Sequence, residues 1–378
     1  MRFEVLASAP GRLDFLNTHQ DYKGLPVVSV AINLRTRAKA GRREGVCRAK
    51  SLNTGEYGEF KPGELPAGRS FIDYVKAAVA SLIRSGVRIG GCDLEVDSEV
   101  PVASGMASSA ALLVATVGAL SALWGGSSEP SFVAEAAYVA EREIMGIPCG
   151  RLDQYGSAFG GISYINTKPP YNVERLSLEE GVFVALDSGL RHSTADIHPR
   201  RQKELDEGLR ALMGITPPSI REKLAERHWE ARWEELDEDE LRPYLEKIPR
   251  VLANRILFTI RMHKSTLAAL EILRGRKVAA PFLPELEGDD WRLKGVGAVM
   301  TYQHMLLRDL YDVSTPELDA LVSGALAKGA YGAKLSGAGL GGIVMALASE
   351  ERAGSIKGLG EAKSWVLRVD EGLRVEFL

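Results

Sequence analysis

The sequence is poor in cysteine and has none of the common cysteine or histidine metal motifs. Only Cys47, Cys92 and Cys149 occur in 378 residues, and no two of them form a CxxC pair. This excludes a disulfide framework and a cysteine zinc site, and predicts free thiols in a reducing compartment. The six histidines show no HExxH spacing, which excludes that type of metalloprotease site.

Excess charge and long apolar runs are also missing. The formal net charge is −3 and the pI is about 6.2, so nothing favours nucleic acid or anionic lipid as the main partner. The longest apolar run, 109–124, is shorter than the ~20 residues that a membrane span needs, and predicts a buried core helix. The first twelve residues lack the apolar core of a signal peptide. We therefore expect a soluble, cytoplasmic protein without a membrane or nucleic-acid partner, as a monomer or small homo-oligomer.

What the sequence does contain is enough apolar material for two domains. Hydrophobic residues make up 45% of a chain of 378 residues. Segments rich in β-branched residues dominate up to about residue 190, and charged helical segments follow from about 199 to 250. The acidic run "EELDEDEL" is typical of a solvated helix face. We predict an N-terminal domain over 1–190 and a C-terminal domain over 191–378.

Two loops of small residues are candidates for ligand contact. "PVASGMASSAAL" (101–112) leads into an apolar helix that we expect to begin near Ser108, so its free N–H groups would face an anion. A tight helix start against a sheet explains the same pattern. The chain has no GKS or GKT, so this is no Walker loop. "SGAGLGG" (336–342) spells GxGxxG, but a predicted strand follows it, which favours a hairpin over a dinucleotide site.

Two further stretches concentrate polar side chains. Residues 9–24, "APGRLDFLNTHQDYKG", lie between two predicted strands, and "GIPCGRLDQ" places Asp153 after a helix, as a general base or a helix cap. A Mg²⁺-bound nucleotide needs an amide cradle, metal ligands, a cation and an acceptor for a hydroxyl proton. The loop 104–109, Ser108 with Glu141, Arg12 and Asp153 could supply these four parts.

In order along the chain, six segments resemble the signatures of the galactokinases, a branch of the GHMP small-molecule kinases. They are "APGRLDFLNTHQDY", "PVASGMASSAA", "GIPCGRLDQ", "LRHSTADIHPRRQKEL", "MTYQHMLLRDLYDVSTPELDALV" and "LSGAGLGG". The resemblance spans residues 9–342. It implies a two-domain fold, with an N-terminal mixed α/β domain, a C-terminal ferredoxin-like α+β domain and the active site in the cleft between them.

The resemblance also implies roles for residues, with ATP and Mg²⁺ as cofactors. Asp153 matches the presumed base, and Arg12 matches the arginine that stabilises the transferring phosphoryl group and lowers the pKa of the reacting hydroxyl. Ser108 and Glu141 match the Mg²⁺ ligands. The predicted sugar contacts are Thr18, His19, Asp21, Gly150 and Arg151. The predicted nucleotide contacts are Ser104, Gly105, Met106, Ala107, Ser108, Ser109, Gly337 and Gly339.

Three departures from the family pattern surround the predicted sugar pocket. Thr18 stands where galactokinases have a glutamate that accepts from the hydroxymethyl end of galactose. Arg151 replaces an apolar residue, and a tyrosine near the sugar falls at Ile197, beside His198. An arginine near a lost acid would suit an anionic C6, as in a uronic acid; a structural ion pair of Arg151 is the alternative. With Thr18 there, we expect weak discrimination at C6, which Thr18→Glu would strengthen.

We therefore predict a sugar kinase that phosphorylates the anomeric hydroxyl of galactose or a galactose-like sugar. The alternatives within this reaction are L-arabinose, galacturonate and N-acetylgalactosamine. A non-catalytic sugar sensor is a rival of another class, but it would be expected to lose Arg12, Ser108 or Asp153, and all three are present. A GHMP kinase for a mevalonate-like or amino-acid alcohol is disfavoured by the "GIPCGRLDQ" and "LRDLYDVSTPELD" matches.

Overall fold

The computed structural model describes residues 2–102, 104–178, 181–190, 194–359 and 363–378, with the backbone alone at 194–196. The strands of the described residues are β1 (Val5–Leu16), β2 (Val27–Arg43), β3 (Cys47–Ser51), β4 (Tyr57–Phe60), β5 (Gly91–Ser98), β6 (Ile162–Ile165), β7 (Val173–Leu176), β8 (Val182–Asp187), β9 (Gly332–Ser336), β10 (Ile343–Ala348), β11 (Ser364–Leu367) and β12 (Arg374–Phe377). The α-helices are α1 (Phe71–Arg84), α2 (Ser108–Leu123), α3 (Pro130–Tyr138), α4 (Leu152–Phe159), α5 (Thr194–Met213), α6 (Pro218–Arg221), α7 (Glu238–Leu245), α8 (Arg250–Leu273), α9 (Trp291–Asp309), α10 (Pro316–Ala327) and α11 (Glu350–Lys357).

The larger sheet carries the N-terminal helices. Its order is β12-β1-β2-β5-β3-β4, with β6 paired to β2 and β7 paired to β6, and only the β3–β5 pair is parallel. The predicted core helix is confirmed as α2, which is buried almost throughout between the sheet and its neighbouring helices. In the described part of the chain no helix is long and apolar enough to cross a membrane.

The smaller sheet is antiparallel, in the order β11-β8-β10-β9. Helices α9, α10 and α11 pack against it, and α5, α7 and α8 form a helical layer with its own apolar core. A further core joins the two sheets, where Phe15 of β1 meets Phe183 of β8 edge to face, with ring centroids 5.2 Å apart. The cleft between the sheets is therefore fixed by apolar packing on one side.

Strand pairing does not follow the predicted boundary at residue 190. β8 ends at Asp187, before that boundary, yet it pairs with β10 and β11 of the smaller sheet. β12, at the end of the chain, pairs with Val5–Ser8 of β1 in the larger sheet. The chain thus passes from the larger sheet to the smaller sheet between β7 and β8, and it returns to the larger sheet at β12. A local change in composition reveals neither crossing.

β1 is longer than the sequence pattern predicts. It runs to Leu16 through Pro10, because two register shifts against β2, between Pro10 and Arg12 and between Asp14 and Leu16, absorb the irregularity. Alternation along the strand then directs Leu13 and Phe15 into the core between the sheets, while Arg12 and Asp14 face the other way. The polar turn proper is shorter than predicted and occupies 17–24.

Candidate active site

A cavity of about 420 Å³ lies between the two sheets and gathers polar groups from distant parts of the sequence. We call its two parts the acidic side, formed by Asp14, Thr18, His19 and Asp21, and the loop side, formed by Gly105, Ala107, Ser108 and Ser109.

A larger cavity of about 700 Å³ lies elsewhere, along α8 and α9. Its cations are already paired on the protein, Arg261 with Glu238 at 2.6 Å and Lys264 with Asp237 at 2.8 Å. It offers no comparable set of convergent groups, so we place the site in the smaller cavity.

Arg12 and Asp153 meet where the two sides join. Arg12 Nε and Nη2 donate to Oδ1 of Asp153 at 2.9 and 2.6 Å, and Nη1 donates to the carbonyl of Gly105 at 2.8 Å. Asp153 lies in the first turn of α4, and its side chain is 29% exposed while that of Arg12 is 7% exposed. The arginine is thus held by Asp153 and by the loop side, and the second oxygen of Asp153 has no hydrogen-bond partner among the residues that the structure describes.

Asp21 fits against Gly150 with no room for a side chain there. A Cβ at Gly150 would lie 1.8 Å from Oδ2 of Asp21. Oδ1 of Asp21 accepts from the N–H of Tyr22 at 2.9 Å. Burial raises the pKa of Asp21 to about 6, and the charge of Asp153 adds to the rise. Asp21 and Gly150, two of the five predicted sugar contacts, therefore line the cavity. The glycine is needed because a side chain there would displace the carboxylate of Asp21.

His19 lines the cavity, but protein partners occupy both of its ring nitrogens. Nε2 lies 3.0 Å from the carbonyl of Ala338 and Nδ1 lies 3.2 Å from the hydroxyl of Tyr22. A carbonyl only accepts, so Nε2 carries the proton and Nδ1 accepts from Tyr22. Burial lowers the pKa of His19 well below its usual value, which agrees with this neutral form. The geometry suits a residue that positions its neighbours.

Thr18 is buried and its hydroxyl is engaged within the protein. Oγ1 donates to Oδ1 of Asp14 at 3.1 Å and accepts from Nζ of Lys334 at 2.8 Å. Lys334 is fully buried on β9.

Arg151 does not line the cavity, contrary to its prediction as a sugar contact. Its guanidinium donates to both oxygens of Glu135, at 2.8 and 2.9 Å, and lies over the rings of Tyr138 and Tyr171. The structure therefore agrees with the alternative of a structural ion pair, because bidentate pairing and ring stacking direct the side chain outward.

The loop side is built from main chain. Gly105 and Ala107 have φ of +79° and +58°, left-handed conformations that turn the chain into α2. The prediction that this helix begins near Ser108 is confirmed. Ser108 and Ser109 line the cavity, so the free N–H groups of the first turn face the ligand space.

Three predicted nucleotide contacts lie behind this surface. Met106 is fully buried in the core between the sheets, and Ser104 donates to the carbonyl of Pro101 at 2.7 Å. A Cβ at Gly339 would lie 2.3 Å from the carbonyl of Val313, so this glycine serves close packing; Gly337 does line the cavity. Ser104, Met106 and Gly339 therefore support the walls without lining the cavity. Ala103 and the segment 191–193, which fall within predicted motifs, lie outside the described residues.

Glu141 and Ser108, the predicted metal ligands, both line the cavity. Glu141 is buried; Gln154 donates to its Oε2 at 2.6 Å, and Ser109 bonds to it as well. Burial raises the pKa of Glu141, and the charge of Asp153 adds to the rise. The described residues hold no group of three or more His, Cys, Asp or Glu that could bind a metal alone. One carboxylate and one hydroxyl nevertheless fit Mg²⁺, which takes one or two protein oxygens and completes its shell with phosphates and water.

Sequence reasoning missed several residues that line the cavity: Asp14, Tyr22, Arg69, Tyr74 and His198. In the sequence His198 is marked only by its place beside Ile197. Its ring lies edge-on to that of His19, with centroids 5.2 Å apart, while Ile197 is buried in the core. Asp14 was within the quoted motif, and its place two residues after Arg12 on a strand was the signal that could have identified it. Arg69 lies just before α1 and Tyr74 lies in its first turn, and neither belonged to a motif.

Three family models match the chain. The GHMP kinases N terminal domain matches residues 73–161, the GHMP kinases C terminal model matches 282–358, and the galactokinase galactose-binding signature matches 2–42.

Curated relatives and solved structures agree with these matches. The chain is 28% identical to the galactokinase of Pyrococcus furiosus over 98% of its own length and 99% of the relative's. It is 28% identical to the galactokinase of Thermotoga maritima over 92% and 91%. It superposes on Lactococcus lactis galactokinase complexed with galactose with a TM-score of 0.80 at 22% identity, covering 98% and 95%. For the mevalonate kinase of Methanococcus jannaschii the TM-score is 0.69 at 19% identity, covering 97% and 99%.

The predicted fold class is confirmed by these findings: a mixed α/β N-terminal domain followed by a C-terminal domain of the same two-domain kinase fold.

Proposed function

Because the chain belongs to the galactokinase branch of the GHMP kinases, we propose that it transfers the γ-phosphoryl group of ATP to the anomeric hydroxyl of galactose. The observation that carries this proposal is the contact of Arg12 with both Asp153 and the loop side. It brings a proton acceptor and a cation to the junction between a polyol pocket and a phosphate-binding loop.

Asp153 is proposed to accept the proton of the reacting hydroxyl or to hold that hydroxyl in line. Arg12 occupies Oδ1 with two N–H groups, so Oδ2 is the oxygen that faces the sugar. The same guanidinium lies next to the loop side, where negative charge spreads over the transferring phosphoryl oxygens. Arg12 would therefore orient the acceptor and stabilise the transferring group.

The nucleotide phosphates are proposed to bind the loop side, Gly105 to Ser109. The main-chain N–H groups at the start of α2 and the hydroxyls of Ser108 and Ser109 supply donors, and Gly337 approaches from the opposite wall. Met106 and Ser104 would act only by fixing the loop.

Mg²⁺ is proposed to be held by Glu141 and Ser108 together with the phosphates. When bound, it would neutralise phosphate charge. Gln154 keeps the carboxylate of Glu141 oriented by donating to Oε2.

Galactose is the substrate that the observations favour. The curated relatives reported above are named galactokinases, and the signature over 2–42 concerns galactose binding. The ion pair of Arg151 with Glu135 removes the argument for an anionic C6, so galacturonate is disfavoured. The sensor alternative has no support either, because Arg12 and Asp153 are present and in contact.

A cytoplasmic location, where ATP is supplied, and a monomer or small homo-oligomer remain proposals.

A panel of free sugars with MgATP, followed as ADP release, tests the function. It contains galactose, N-acetylgalactosamine, glucose, L-arabinose, fucose and galacturonate. We expect turnover with galactose and a sugar 1-phosphate as product, identified by the change at the anomeric carbon in NMR. ADP release with none of these sugars, or phosphorylation at another carbon, would overturn the proposal.

A further inference from the structure

Asp14 is a buried carboxylate that the proposed reaction does not use. It lies on β1, is 4% exposed, and lines the cavity on the acidic side. Its N–H donates to Oγ of Ser336 at 3.0 Å, and its carbonyl accepts from Nζ of Lys334 at 2.9 Å. The backbone of Asp14 is thus fixed to β9 from the other sheet.

The two oxygens of the Asp14 carboxylate have different surroundings. Oδ1 accepts the hydroxyl of Thr18 at 3.1 Å. Oδ2 has no hydrogen-bond partner among the residues that the structure describes. A buried carboxylate with a free oxygen is unfavourable for folding alone, and burial accordingly raises the pKa of Asp14 to about 6, although the charges of Lys334 and Arg12 oppose the rise. Such a group suits a ligand hydroxyl.

Lys334 determines the direction of the Thr18 hydroxyl. A lysine ammonium only donates, so the contact of 2.8 Å makes Thr18 Oγ1 an acceptor there. The proton of that hydroxyl is then directed to Oδ1 of Asp14, its other partner. Lys334 and Thr18 together hold one face of the carboxylate and leave Oδ2 toward the cavity.

We propose that Asp14 supplies the charged acceptor for the C6 hydroxyl of the sugar, with Thr18 and Lys334 as positioning residues. The assignment to C6 follows from the contact of Asp14 with Thr18, the position expected to meet that end of the sugar. It rests on the proposed function, and it reverses the expectation from the sequence that this pocket has lost its acid and discriminates weakly at C6. In this proposal the acid lies on the strand β1, four residues before Thr18.

The test compares galactose with D-fucose. D-fucose has the same configuration as D-galactose and lacks only the C6 hydroxyl. Wild-type enzyme is expected to prefer galactose over D-fucose by about 10- to 100-fold in kcat/KM, the range for a hydrogen bond to a charged acceptor. Asp14→Asn should lower kcat/KM for galactose by that factor and leave the value for D-fucose within about threefold. Asp309→Asn, the same substitution at an exposed position at the end of α9, should change neither.

Positioning by Thr18 is tested separately with Thr18→Val, which keeps the shape and removes the hydroxyl. It should reduce the preference for galactose by a smaller factor than Asp14→Asn, mainly through KM. Calorimetric titration with an ATP analogue and thermal unfolding should show that both variants fold and bind nucleotide.

The outcomes separate this inference from the function itself. If wild-type enzyme phosphorylates neither sugar, the proposed function fails. If it prefers galactose and Asp14→Asn keeps that preference, or if Asp14→Asn lowers both sugars equally, only the assignment of Asp14 fails. Equal use of galactose and D-fucose by the wild type would also overturn it.

Discussion

The two sides of the cavity present different parts of the chain to the space between them. The acidic side uses charged side chains held in networks that cross between the sheets, such as Lys334 of β9 bonded to Thr18 and Asp14. The loop side uses main chain in left-handed conformations at Gly105 and Ala107, followed by a helix terminus.

The difference agrees with the positions at which the sequence departs from the galactokinase pattern. Side-chain recognition can change by substitution, and both Thr18 and Arg151 lie near the acidic side. Main-chain recognition depends on glycine and small residues that allow one backbone path, and the loop side matches the family pattern. The comparison predicts that substitutions on each side affect one substrate and leave the other nearly unchanged.

The largest effect is expected where the two sides meet. Asp153→Asn keeps the volume and removes the carboxylate, so kcat should fall by ~10²–10⁴-fold. Binding of ATP, measured by calorimetry, should change little, because among the described residues Asp153 is linked to the loop side through Arg12. Full turnover by this variant would remove Asp153 from the mechanism.

A crossed pair of glycine substitutions sharpens the comparison. Gly150→Ala places a methyl group 1.8 Å from Oδ2 of Asp21, so the carboxylate must move, and kcat/KM for galactose should fall by about 10- to 100-fold. Gly105→Ala places its methyl group in ordinary contact, 3.8 Å from both Ile343 and the carbonyl of Ser336, but keeps φ at +79°. An alanine in that conformation costs about 1 kcal/mol or more, so the variant should raise KM for ATP by about fivefold or more.

Steady-state kinetics with each substrate varied in turn checks this pair. Gly150→Ala should leave KM for ATP within about twofold of the wild type, and Gly105→Ala should do the same for galactose. The larger Gly105→Val substitution should prevent nucleotide binding. A similar loss for both substrates in both alanine variants would show that the two sides are not independent.

The pH dependence should also differ between the sides. Burial raises the pKa of Asp14 and of Asp21 to about 6, so both lose the charge that accepts a sugar hydroxyl as the pH falls through 6. We expect kcat/KM for galactose to decline about tenfold per pH unit or more below this point, while binding of an ATP analogue changes less. A profile for galactose that is flat from pH 5 to 8 would contradict it.

The smallest effect is on stability. The carboxyl of Asp21 binds its proton more tightly in the folded state than in the unfolded state, where its pKa is near 4, so stability decreases as the pH rises from about 4 to 6. Above pH 6 the full free-energy cost of burying the charged carboxylate is present. Asp21→Asn should therefore raise Tm at pH 7.5 by a few degrees in scanning calorimetry while impairing sugar use, and the gain should vanish near pH 4.

Local signals in the sequence predicted the parts of the site that depend on local structure. The helix start at Ser108, the hairpin around 336–342 and the burial of α2 follow from small residues, glycine spacing and an apolar run, and all three agree with the structure. The resemblance of six ordered motifs supplied the fold.

Residues whose roles depend on distant partners could not be assigned in that way. The sequence predicts Arg151 as a sugar contact, but its guanidinium pairs with Glu135. It also predicts His19 as a sugar contact, but Ala338 and Tyr22 occupy its ring nitrogens. The hydrogen bond that Lys334 donates to Thr18 joins positions 316 residues apart. The sequence order carries no information on such contacts.

That separation has a consequence for the order in which the protein can form during synthesis. Asp14 emerges from the ribosome 320 residues before Lys334, and the strand β12, which pairs with β1, emerges later still. At ~5–20 residues per second, tens of seconds pass between the synthesis of Asp14 and the synthesis of Lys334, the cation beside it. A nascent chain halted before residue 332 would lack β9 and β12, so its cleft would be open to water and its first strand would have a bare edge. Ribosome-bound chains of increasing length should therefore become protease-resistant in the N-terminal half only after the last strand is free.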